Sequence, residues 1–110
     1  MTRDQIHSEI SNNDVVLFMK GTPLFPQCGF SARVVSALNA EGIEFISHNV
    51  LEDELLRNNI KAYSDWPTIP QLYIKGEFAG GSDIVQEMFE SGELRELKVR
   101  KNEQMIHKRL

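Results

Sequence analysis

Val15-Val16-Leu17-Phe18-Met19-Lys20-Gly21-Thr22-Pro23-Leu24-Phe25-Pro26-Gln27-Cys28-Gly29-Phe30-Ser31 carries the chain from one kind of local order into another. Its first five residues form an unbroken apolar run with β-branched members, which fits a strand buried on both faces. Gly21-Thr22-Pro23 stops that run, and a short loop with Pro26 leads to Cys28. Phe30, Val34, Val35 and Leu38 then recur at helical spacing, with Gly42 placed just past the helix end. Ile43 to Val50 reads as a second strand. Strand, helix, strand in this order demands a right-handed crossover and a parallel pair.

Working outward, Thr2-Arg3-Asp4-Gln5 fits a capping box ahead of a helix whose Ile6 and Ile10 share one face. That helix ends near Asn12-Asn13. Leu55, Leu56 and Ile60 mark a third helix, with Glu52, Asp53 and Glu54 at its start. Pro67 and Pro70 bracket a loop before the strand Gln71-Leu72-Tyr73-Ile74. Lys75-Gly76-Glu77 turns into Phe78-Ala79, which closes a hairpin. After Gly80-Gly81, Ser82 or Asp83 can cap a helix carrying Ile84, Val85, Met88 and Phe89. Leu94 and Leu97 suggest one more helix. The order α-β-α-β-α-β-β-α-α predicts an α/β fold: a four-stranded mixed sheet flanked by helices on both faces.

The 110 residues suit one domain, 1–110, with its core at about 4–97 and a basic tail at 98–110. Residues 1–92 carry six basic and thirteen acidic side chains, whereas residues 93–110 carry six basic and three acidic. The tail's charges (Arg95, Lys98, Arg100, Lys101, Lys108, Arg109) suit a solvated helix or a surface for an acidic partner. Nucleic acid is disfavoured, because the body is acidic and no aromatic residues interleave the tail. No apolar run is long enough to span a membrane. The segment from Met1 to His7 has no signal-peptide or transit-peptide character, so a cytoplasmic location is expected. Phosphate-loop spacing and a His-Glu-x-x-His run are both absent.

Cys28 is the only cysteine. It lies at the start of a helix, where free N–H groups and the helix dipole favour the thiolate. Lys20 could add positive charge over the same terminus. Ser31 stands where a Cys-X-X-Cys motif would have its second thiol, and a hydroxyl cannot resolve a disulfide. Any partner thiol must therefore come from outside the chain. His7, His48 and His107 are isolated in sequence and read as ordinary residues without a metal role.

Lys20-Gly21-Thr22-Pro23, Cys28-Gly29-Phe30-Ser31, Trp66-Pro67-Thr68-Ile69-Pro70-Gln71 and Gly80-Gly81-Ser82-Asp83 together make the chain resemble a monothiol glutaredoxin of the Cys-Gly-Phe-Ser class. The resemblance spans about Asp4 to Leu97. It implies a thioredoxin-like fold with Pro70 cis and with the Ile69 backbone beside Cys28, where glutathione pairs like an added strand. It further implies that Lys20 and Arg57 bind the glycine carboxylate of glutathione, while Gly81, Ser82 and Asp83 hold its γ-glutamyl end. Arg57 read alone is equally an exposed helix charge, and Asp83 equally an N-cap. Trp66 and Phe30 are either core or groove wall. Many relatives have a cysteine in place of Ser82, so that second thiol is missing here.

A [2Fe–2S] cluster takes four thiolates as a rule. Two chains and two glutathione molecules supply four. The resemblance thus implies a cluster bridged between two subunits, with Cys28 as each chain's metal ligand, and delivery to iron–sulfur recipient proteins. A BolA-like protein is a further partner in such relatives. The alternative is a glutathione-dependent oxidoreductase that reduces protein–glutathione mixed disulfides through Cys28, with weak activity at most.

Overall fold

The computed structural model describes residues 1–97. Helix α1 (Arg3–Asn12) precedes β1 (Val15–Met19), followed by α2 (Gly29–Ala40), β2 (Ile46–Asn49), α3 (Glu54–Ser64), β3 (Gln71–Ile74), β4 (Glu77–Gly80) and α4 (Ser82–Ser91). Residues 93–97 add a short helical segment after Gly92. The strand order is β2-β1-β3-β4, with β1 parallel to β2 and antiparallel to β3, and β3 antiparallel to β4. The mixed sheet expected from the element order is therefore present.

Strand β1 sits in the middle and divides its side chains between two apolar layers. Val16 and Phe18 join Ile6, Ile10, Leu56 and Ile60, the apolar faces of α1 and α3. Leu17 and Met19 join Val34, Leu38, Val85 and Leu94 on the α2 and α4 side. Period-2 alternation places successive side chains on opposite faces, so a continuous apolar run is what a strand covered on both sides needs. Thr2 and Gln5 form the expected capping box on α1.

Several boundaries differ from the sequence reading. Strand β2 begins at Ile46 instead of Ile43, because the Ile43 N–H still bonds the Leu38 carbonyl at 2.9 Å and closes α2. The chain reaches the sheet only where Ile46 meets Val16. Leu55 is 53% exposed, since the buried face of α3 is set by Leu56 and Ile60. Neither Ser82 nor Asp83 caps α4: the N-cap is Gly81, and no side chain bonds to that helix start. The tail from Lys98, including Arg100, Lys101, His107, Lys108 and Arg109, lies outside the described residues. Arg95 is paired with Glu41, Nε to Oε2, at 3.5 Å. No helix among the described residues is long and apolar enough to cross a membrane.

Candidate functional site

The segment between β1 and α2 is a miniature hairpin. The Gln27 N–H donates to the Lys20 carbonyl at 2.9 Å, Gly21 bridges Pro26, and Thr22 and Phe25 exchange backbone hydrogen bonds. Gly21 is required here. Its φ is +91°, and a Cβ would lie 2.5 Å from the Phe25 carbonyl oxygen and 2.6 Å from the Gln27 nitrogen. The Gly21 N–H donates to Asn49 Oδ1 at 2.9 Å, and the same oxygen accepts from the Leu51 N–H at 3.0 Å. The end of β2 thus pins the hairpin, which delivers Cys28 to the N-cap of α2. Leu24 and Phe25 project from its tip into solvent.

Cys28 is a free, partly exposed thiol whose pKa is held below the usual thiol value. The backbone N–H of Ser31 is the main cause. Burial opposes it, and the Phe30 N–H, the Lys20 charge and the Ser31 hydroxyl assist. The sulfur makes no full capping hydrogen bond, so these amides act on it mainly as oriented dipoles. Ser31 is wholly buried, and its Oγ accepts the Lys20 N–H at 3.1 Å. The position of a second thiol is occupied by a hydroxyl that ties α2 to the end of β1.

Cys28 opens onto a cleft of about 500 Å³. The cis Ile69–Pro70 peptide and the loop from Trp66 to Thr68 form one side of it. Phe30, Lys20 and Lys61 also line it, together with Gly81, Ser82, Asp83 and Ile84. Trp66 and Phe30 are exposed, so both are groove wall. A Cβ on Gly81 would sit 3.3 Å from the Pro70 carbonyl oxygen, so the absence of a side chain lets α4 start close against this loop. Ser82 Oγ is buried and no protein group bonds to it. Two helix N-termini, those of α2 and α4, therefore meet in one cleft with two lysines, an arrangement suited to carboxylates.

Of the predicted site residues, Lys20, Cys28, Ile69, Gly81, Ser82 and Asp83 are brought together. Arg57 is not. It is exposed on α3 and lines an adjoining cleft with Glu54 and Asn58. Lys61 borders both clefts and was missed from sequence; its i+4 spacing from Arg57 was the available signal. Thr68 and Ile84 were also missed as lining residues. His7 Nδ1 pairs with the Tyr63 hydroxyl at 2.9 Å. His48 stacks on Phe18, with Nε2 3.4 Å from Glu9 Oε1 but outside hydrogen-bond geometry. Among the described residues, no group of three or more His, Cys, Asp or Glu side chains could hold a metal.

A family profile described as Glutaredoxin matches residues 15–79. The chain is 53% identical over 96 residues to an uncharacterized monothiol glutaredoxin of Synechocystis, covering 87% of this chain and 90% of that one. It is 56% identical over 92 residues to a probable monothiol glutaredoxin 2 of Rickettsia conorii, covering 84% and 86%. Among solved structures, a monomeric truncated mutant of Trypanosoma brucei 1-C-Grx1 superposes with a TM-score of 0.83 at 45% identity, covering 93% of each chain.

Proposed function

Because the chain belongs to the glutaredoxin family, with monothiol glutaredoxins as its relatives, we propose that it binds glutathione beside Cys28 and carries a [2Fe–2S] cluster shared between two subunits. The cluster is cargo, handed to recipient proteins of iron–sulfur assembly in the cytoplasm, with a BolA-like protein as a further partner. The observation that carries this reading is the cleft itself. Its lining holds a thiolate-prone sulfur, Ile69 before the cis Pro70, two helix N-termini and the unpartnered Ser82 hydroxyl. Glutathione matches that set. Its cysteinyl backbone pairs with Ile69, its γ-glutamyl carboxylate meets the Gly81–Ser82 amides, and its ammonium meets Asp83. Its glycine carboxylate lies with Lys20 and Lys61, with Arg57 reaching from the adjoining cleft.

The donor set supports that stoichiometry. One chain offers one thiolate. A second chain and two glutathione sulfurs complete a four-thiolate set. Anaerobic reconstitution with iron, sulfide and glutathione should give a brown dimer with visible absorption, lost when glutathione is omitted and lost in Cys28→Ser. A colourless monomer under the same conditions would sink the proposal.

The lowered thiol pKa favours a second reading. The Cys28 thiolate attacks the glutathione sulfur of a protein–glutathione disulfide and expels the protein thiolate. A glutathione thiolate then attacks the Cys28–glutathione disulfide, releasing oxidised glutathione and restoring Cys28. Turnover of a glutathionylated protein that vanishes in Cys28→Ser would establish this activity.

A further inference from the structure

Gln71 is wholly buried at the start of strand β3, opposite Phe18 of β1. Both N–H groups and the oxygen of its amide are engaged. Nε2 donates to the Trp66 carbonyl at 3.1 Å and to the Thr68 carbonyl at 3.2 Å, while Oε1 accepts from the Tyr73 hydroxyl at 3.1 Å. Both carbonyls belong to the loop that walls the Cys28 cleft. The loop is also held from α3, where the Trp66 N–H donates to Ser64 Oγ at 3.1 Å and to the Lys61 carbonyl at 3.3 Å. Tyr73 cannot swing away. It is buried among the rings of Phe18, Tyr63 and Phe78, and burial pushes its pKa up to about 12, so it stays a donor.

We propose that Gln71 is a positioning residue of the cleft, fixing the Trp66–Thr68 wall and through it the Ile69 backbone against Cys28. A core requirement alone would be met by leucine or methionine, which fill the same space without polar atoms to satisfy. The glutamine instead spends both N–H groups on the wall, and Tyr73 orients it. A fully satisfied buried network of this kind specifies one arrangement of the backbone it holds. The ligand part of the proposal rests on the reading of the cleft as a glutathione site.

Trp66 is the only tryptophan, so its fluorescence reports the wall directly. Gln71→Met keeps the volume and removes the tie. The expected result is a folded protein in which acrylamide quenches Trp66 about twofold more readily. Glutathione binding by calorimetry should be about tenfold weaker, with Cys28 alkylation at neutral pH unchanged within about twofold. Tyr73→Phe, which leaves the two wall bonds in place but frees their anchor, should move quenching and affinity the same way by less. If Gln71→Met does not fold, Tyr73→Phe carries the test. Quenching and affinity equal to the parent's in the folded variants would overturn the proposal. Should the parent itself fail to bind glutathione, the functional reading falls, and quenching alone still decides the role of Gln71.

Discussion

Cys28 owes its reactivity to the few residues around it, and this part of the site was legible in the sequence. A loop, a glycine and a helical period place the sulfur at a helix start, and the structure adds the amides of Ser31 and Phe30 and the Lys20 charge. With a single cysteine, iodoacetamide reads this group alone. Its alkylation rate should titrate with a midpoint below the ordinary 9.0, and Lys20→Met should move that midpoint up. Folding lowers the thiol pKa, so the folded state binds fewer protons between the two values. The stability this gives is fully present above 9.0 and lost as pH falls through the folded pKa. Cys28→Ser should remove that slope from urea midpoints measured across the window. Ser82 shows what stayed hidden: its serine chemistry suggested a cap, yet the hydroxyl is buried and unpartnered because Gly81 takes the cap position.

At the scale of elements, apolar runs, helical spacing and turn residues found the helices and strands of the described residues, and the errors fell where one element borrows from another. Strand β2 lost residues 43–45 to the closing turn of α2. The hairpin between β1 and α2 was read only as a loop, because its anchor is Asn49, at the far end of β2. Gly21→Ala tests that element. The new Cβ would collide with the backbone of Phe25 and Gln27 in a left-handed conformation, so urea unfolding should show a loss of about 1–3 kcal/mol. The same variant should assemble less of the proposed cluster, since the hairpin sets where Cys28 stands. Arg57 marks a placement that the sequence left open. Its charge was legible, but the turn of α3 that decides which cleft it borders was not.

For the whole molecule, the sheet order is what gathers the hairpin residues Lys20 and Cys28 with Ile69 and Ser82, from three separate segments, into one cleft. Local placement paired Lys20 with Cys28, but only the family resemblance added Ile69 and Ser82, since spacing along the chain says nothing about contacts across it. Phe18, at the centre of the sheet, packs on His48 and Tyr73 and is wholly buried. Phe18→Ala should cost about 3–5 kcal/mol in denaturant unfolding. The central place of β1 also bears on how the protein is made. Its partner β2 follows soon after it, but β3, which covers its other edge, ends at Ile74. At about 5–20 residues per second, a ribosome leaves that edge open for roughly 3–11 s. Throughout that interval Val16, Leu17, Phe18 and Met19 form an unfinished apolar ribbon on a nascent chain, so the period of greatest exposure to chaperones and to misassembly falls before β3 has been translated.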